Sequence, residues 1–180
     1  MRLMRPAFRT FAVIAALCSL LVASAQAQTL LTTGDIAPDF ELAASDGNTY
    51  RLSDFRGEQA VVLAWFPRAF TSGCTVECKS LAQNGERIRE YDVRYFMAST
   101  DPVAKNAEFA AETEADFPLL SDPEGEVAKA YGIYANGFAR RHTFYIDREG
   151  VITRIDRSVR PSTSAEDMIA NLDDLGVARR

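Results

Sequence analysis

Apolar and polar positions divide most of the chain into short elements of alternating type. Ala60-Val61-Val62-Leu63-Ala64-Trp65-Phe66 is an unbroken apolar run, bounded by charge before it and by Pro67 after it. A run of that length without alternation predicts a strand buried on both faces, as in a parallel sheet. Ahead of it, Asp46-Gly47 is a turn dipeptide between Phe40–Leu42 and Thr49–Leu52, which predicts a small hairpin. Beyond it, the segment from Cys74 to about Arg89 spaces Val76, Leu81 and Ile88 among polar residues and predicts a helix. Val93–Ala98 is the next expected strand. A helix follows with Pro102 in its first turn behind an Asp101 cap, and a shorter one over Glu124–Tyr131 ends at Gly132. Thr143–Ile146 and Val151–Ile155 are strands around the turn Asp147-Arg148-Glu149-Gly150. Ser164–Leu175 is a last amphipathic helix, with Gly176 just past its end. Strands alternating with helices predict an α/β domain built on a central mixed sheet flanked by helices, with an N-terminal β-hairpin.

The first 27 residues do not follow that pattern. Arg2, Arg5 and Arg9 form a cationic start, Phe11–Val22 is an apolar stretch, and Ala23-Ser24-Ala25-Gln26-Ala27 supplies small residues for cleavage. That order is a secretory signal peptide over residues 1–27, too short for a comfortable membrane span, with cleavage after Ala27 or Ala25. The expected product is exported, in a periplasm-like compartment, with one domain over residues 28–180 and no stable membrane association once the leader is removed. Loss of three arginines from 20 basic residues leaves 17 against 25 acidic ones, a net charge near −8. Nothing in that balance favours a nucleic-acid partner.

Leader removal also takes Cys18, so Cys74 and Cys78 remain as the only thiols. A disulfide closing so small a loop constrains the unfolded chain very little, which makes the pair chemical rather than structural. Cys74 falls where the buried strand has ended, a loop has passed and the next helix begins. A helix start presents unpaired N–H groups and a partial positive charge, and so favours a thiolate over a thiol. Gly73 allows close approach of the backbone to whatever meets the sulfur, and the Thr71 hydroxyl can reach the same place. Two thiols and the single histidine, His142, are too few for a structural zinc site. As the only available base for a cysteine hydrolase, His142 is expected instead to be an exposed strand residue turned away from Arg141.

Pro67-x-x-x-Thr71-x-x-Cys74 resembles the active-site motif of the peroxiredoxin family, and Cys74-Thr75-Val76-Glu77 is similar to its bacterioferritin-comigratory and PrxQ branch. The likeness continues through Gly34–Phe40, through Phe117-Pro118-Leu119-Leu120-Ser121-Asp122 to Tyr131-Gly132, and through Arg141–Asp147. The resemblance implies a thioredoxin-like fold and a thiol-dependent peroxidase that acts on hydrogen peroxide and organic hydroperoxides without a cofactor or metal. It implies that Cys74 attacks the peroxide, Arg141 stabilises charge, and Glu77 orients Arg141. Thr71 and the Cys74 N–H would hold the peroxide, and Pro67 would shield the sulfur. The implied partners are a peroxide and an external dithiol reductant of thioredoxin-like or glutaredoxin-like type, with the enzyme a monomer or homodimer.

Cys78 departs from the branch, whose resolving cysteine lies five residues after the first rather than four. Helical spacing of four still puts both cysteines on one face, with Cα atoms roughly 6 Å apart, although the Cβ vectors are nearly parallel until the turn unwinds. Cys78 as resolver of an intramolecular disulfide is the expectation; a one-cysteine peroxidase is the alternative. A thioredoxin-like thiol-disulfide oxidoreductase of the cell envelope is the remaining rival. It would want Cys-x-x-Cys and a proline where His142-Thr143 stands.

Overall fold

A computed structural model describes residues 30–180; the expected leader lies outside the described residues. The first elements are the antiparallel hairpin of β1 (Glu41–Ala43) and β2 (Thr49–Arg51), followed by a 3-10 turn over Leu52–Phe55. Strand β3 (Ala60–Trp65) leads to α1 (Ser72–Gln83), α2 (Gly85–Arg89) and β4 (Val93–Ser99). Helix α3 (Val103–Thr113), β5 (Leu119–Ser121) and α4 (Glu126–Ala130) follow. A two-residue pair, β6 (Tyr134–Ala135) and β7 (Phe138–Ala139), precedes β8 (His142–Ile146), β9 (Ile152–Asp156) and α5 (Ser164–Asp174).

The main sheet has the order β5-β4-β3-β8-β9, with β3, β4 and β5 parallel and β8 and β9 antiparallel to their neighbours. Strand β3 lies at its centre, and that position explains its unbroken apolar sequence. Val62, Ala64 and Phe66 face a cluster with Leu81, Ile88, Phe109 and Met168 from the helices α1, α2, α3 and α5. Val61, Leu63 and Trp65 face the opposite cluster with Phe40, Leu52, Tyr131 and Phe144. Alternate side chains of one strand therefore belong to two different cores, and no position can be polar. The expected mixed sheet, flanking helices and N-terminal hairpin are all present.

Three local expectations are corrected. The helix expected from Cys74 to Arg89 is interrupted at Asn84 (φ −114°, ψ 13°). Asn84 closes the first helix itself: its backbone N–H donates to the Leu81 carbonyl at 3.2 Å and its side-chain amide to the Ser80 carbonyl at 3.0 Å. Pro102 is the cap residue itself, and the Asp101 carboxylate does not serve the helix. It is buried and accepts the Ala69 N–H at 2.8 Å, the Ser99 hydroxyl at 3.1 Å and the Lys105 ammonium at 2.6 Å. His142 opens β8 half-buried rather than exposed, stacked on Phe144 in the core away from Cys74, and burial holds its imidazole below the usual histidine range.

The hydrophobic pattern shows neither β5 nor the β6–β7 pair. Three residues carry no readable period, which accounts for β5. The β6–β7 turn is built on Asn136 (φ 53°) and Gly137 (φ 88°), the left-handed pair that a tight hairpin demands. Asn-Gly is the signal that could have found it.

Candidate active site

The register of the sheet assembles the site. His142 pairs with Trp65 at the end of β3, so Arg141, one residue earlier, stands level with the loop that leaves β3 toward α1. That loop, Pro67–Thr71, is pinned from outside by the Asp101 carboxylate on the Ala69 N–H. Phe70 follows in the left-handed region (φ 65°), a conformation that strains a residue bearing a Cβ by about 1 kcal/mol or more. Its ring meets Phe109 of α3 edge-on at 5.2 Å, and this contact offsets part of the strain. Pro67 is half-buried at the start of the loop.

Thr71 caps α1 with extended backbone, and its carbonyl accepts the Thr75 N–H at 2.9 Å. Its hydroxyl donates to the Arg68 carbonyl at 3.0 Å. The proton is thus committed to the backbone rather than to the sulfur, while the oxygen's lone pairs remain available. Cys74 is the third residue of α1, inside the first turn, and is fully buried.

One nitrogen of the Arg141 guanidinium, Nη2, donates to Cys74 Sγ at 3.1 Å, and Nη1 pairs with the Glu77 carboxylate. Glu77 is three residues after Cys74 on the same helix, so both project toward the same guanidinium. It is 1% exposed, a buried anion that requires a cation and has one. A Cβ on Gly73 would make only ordinary contacts, 3.4 Å from Arg141 Nη2 and 3.8 Å from Pro161, so the close approach expected there does not require glycine.

Cys78 is held elsewhere. Both cysteines are free and buried, but Cys78 Sγ lies 3.1 Å from the Thr113 hydroxyl at the end of α3. Burial pushes its thiol from 9.0 up to about 11, and the nearby Cys74 adds to it. Asp101 and Phe70, which hold the loop, and Thr113, which holds Cys78, are residues that sequence reasoning misses. The positive φ of Phe70 and the distant partners of the other two leave no local sequence signal.

A mixed sheet of this topology, with a buried cysteine at the helix start after its central strand and an arginine brought to the sulfur from a facing strand, is a thioredoxin-like peroxiredoxin fold. Residues 33–155 match the AhpC/TSA family, and the chain belongs to it as a peroxiredoxin of the Bcp/PrxQ kind. It is 34% identical over 133 residues to peroxiredoxin Bcp of Escherichia coli strain K12, covering 69% of this chain and 85% of that one. It is 35% identical over 127 residues to alkyl hydroperoxide reductase E of Mycobacterium bovis, covering 68% and 83%. Among solved structures, peroxidoxin BcpB from Mycobacterium tuberculosis superposes with a TM-score of 0.73 at 33% identity, over 81% of this chain and 98% of that one. A cysteine-to-serine mutant of PrxQ from Xylella fastidiosa superposes at 0.74 with 23% identity, over 81% and 98%, a likeness of fold. Thiol-dependent peroxidase activity follows from this membership.

The raised Cys78 thiol has a thermodynamic consequence. Its folded value lies above its unfolded one, so the stabilisation it provides is complete below about pH 9 and is lost as pH rises toward 11. Each tenfold difference in proton affinity between the folded and unfolded chains is worth about 1.4 kcal/mol, so the reduced protein should lose about 2 kcal/mol by pH 10.5 relative to Cys78→Ala. Denaturant unfolding of the two proteins at pH 8 and pH 10.5 checks this; a difference between them that does not change with pH would refute it.

Proposed function

We propose that this chain is an exported peroxidase in which Cys74 reduces hydrogen peroxide or an organic hydroperoxide and Cys78 resolves the product. The observation that carries the reading is the Arg141 guanidinium shared between Cys74 Sγ and Glu77. Cys74 attacks one peroxide oxygen as thiolate, the O–O bond breaks, and the departing oxygen leaves as water or an alcohol after taking a proton. Negative charge moves from sulfur to the leaving oxygen in that step. A fixed cation beside the sulfur, with no reorganisation left to make, lowers the barrier. Glu77 prevents the guanidinium from turning away. The lone pairs of Thr71 Oγ1 accept from the peroxide, the Cys74 N–H donates to it, and Pro67 limits water at the loop.

The Cys74 sulfenic acid then condenses with the Cys78 thiol: the S–S bond forms, the S–O bond breaks and water leaves. An external dithiol returns both cysteines to thiols by two exchange steps. The leader-like residues 1–27 support action outside the cytoplasm, where the dithiol would be a thioredoxin-like or glutaredoxin-like protein of that compartment. The second reading, a one-cysteine peroxidase, is favoured by one observation: the buried, hydrogen-bonded Cys78 thiol.

Cys74→Ser should abolish peroxide consumption, since an alkoxide is inaccessible at neutral pH. Arg141→Ala should slow the reaction of Cys74 with peroxide by about 100-fold, the usual cost of losing one such donor, while Arg140→Ala stays within about twofold. Because Arg141→Ala also strands a buried carboxylate, the Arg141→Ala/Glu77→Gln double variant is the cleaner measurement. Stopped-flow rates decide, and equal effects at positions 140 and 141 would mean that the guanidinium beside the sulfur is not used.

After one equivalent of peroxide, mass spectrometry of the peptide spanning both cysteines should show the loss of two hydrogens. Oxygen gained on Cys74 with Cys78 still free would establish the one-cysteine reading instead. For export, N-terminal sequencing of protein purified from the producing cells should begin at Gln28 or Gln26, and a soluble product starting at Met1 would exclude it.

A further inference from the structure

The two sulfurs are held by different parts of the fold. Cys74 is bonded by Arg141, which enters from the sheet, whereas Cys78 turns to α3 and meets Thr113 at that helix's last turn. Proton accounting fixes the direction of the second contact. The Thr113 hydroxyl has one proton, and it is given to the Phe109 carbonyl at 2.7 Å. Toward Cys78, Thr113 can therefore only accept, and the Cys78 S–H must donate. Thr113 is 2% exposed and Cys78 fully buried, so both bonds lie out of bulk solvent.

The acceptor is also on a firm support. Its helix ends in a left-handed Glu114 (φ 55°), with the Ala115 N–H returned to the Ala110 carbonyl at 2.9 Å. On the same helix, Phe109 packs against Phe66 and Phe70 of the strand and loop leading to Cys74. Cys78, by contrast, belongs to α1, whose first turns must unwind for two nearly parallel Cβ vectors to bring their sulfurs together.

We propose that Thr113 is a positioning residue for the resolving step: by accepting the Cys78 S–H it holds that thiol against α3, and so sets how long the Cys74 sulfenic acid survives before the disulfide closes. This rests on Cys78 being the resolving cysteine. Each turnover must break the Thr113 bond before Cys78 can move, so the bond lengthens the interval in which a second peroxide can carry Cys74 to the sulfinic state. Thr113 touches neither Cys74 nor Arg141, and its influence falls on the second step alone.

The test separates the two steps. Rapid-quench mass spectrometry with dimedone trapping follows Cys74 oxidation and Cys74–Cys78 bond formation in the wild type, Thr113→Val and Thr113→Ser. Thr113→Val should close the disulfide about three- to tenfold faster, the range set by one ordinary hydrogen bond, and should accumulate less sulfinic acid at excess peroxide. Its Cys74 oxidation should keep the wild-type rate, and Thr113→Ser, which retains the acceptor, should close the disulfide at the wild-type rate. Since valine places a methyl group where the hydroxyl stood 3.1 Å from the sulfur, Thr113→Ala serves as a second variant that cannot crowd Cys78. Disulfide closure at the wild-type rate in Thr113→Val and Thr113→Ala, or a Thr113→Ser variant as fast as they are, would overturn the proposal. A wild type that never forms the internal disulfide would overturn the resolving role of Cys78 along with it.

Discussion

Glu77 is a carboxylate with 1% of its surface exposed, and a buried charge of that kind is tolerated only with a partner that is already in place. Arg141 supplies it through one nitrogen and reaches Cys74 Sγ with the other. The planar fork of a guanidinium can serve two acceptors at once, which a lysine ammonium on a flexible stem would do with far less control of direction. The ion pair thereby fixes the cation at the sulfur. Truncating Arg141 would cost both the charge at the thiol and the neutralisation of Glu77, so the packing of a buried anion and the surroundings of the thiol rest on the same contact.

That contact depends on strand register. Strand β8 runs antiparallel to β3 with His142 opposite Trp65, which places Arg141 at the mouth of the loop and turns His142 to the other core. A slip of one residue would exchange the faces and present the imidazole to Cys74 in place of the guanidinium. The register is secured by the apolar alternation on both sides: Val62 and Ala64 toward the α1 side, Val61, Leu63 and Trp65 toward Tyr131 and Phe144. The packing of two cores thus decides which side chain the thiol meets.

The loop between strand and helix is held from outside rather than by its own sequence. Asp101 gives up the capping role and takes the Ala69 N–H, with Ser99 and Lys105 completing its shell. Phe70 tolerates a left-handed backbone because its ring is held by Phe109. Helix α3 therefore supports the approach to Cys74 through Phe109 and holds Cys78 through Thr113, so a single helix lies behind both sulfurs.

The sequence by itself determined the elements whose signals are local. The apolar run of β3, the hairpin around Asp46-Gly47, the helix stop at Gly176 and the motif from Pro67 to Cys74 all follow from periodicity, turn chemistry or residue spacing within a few positions. It also marked Arg141 as the neighbour of Cys74, and Glu77 as the partner of Arg141, through the likeness of their surroundings to a family. Only the tertiary structure decided the packing around Gly85, since the Asp116 carboxylate it sits against lies 31 residues away in sequence. The same holds for the diversion of Asp101 to Ala69, the half-burial of His142 and the attachment of Cys78 to Thr113. Each of these is a contact between segments far apart in the chain, where hydrogen-bond satisfaction and close packing override local preference, and no window of neighbouring residues contains both partners.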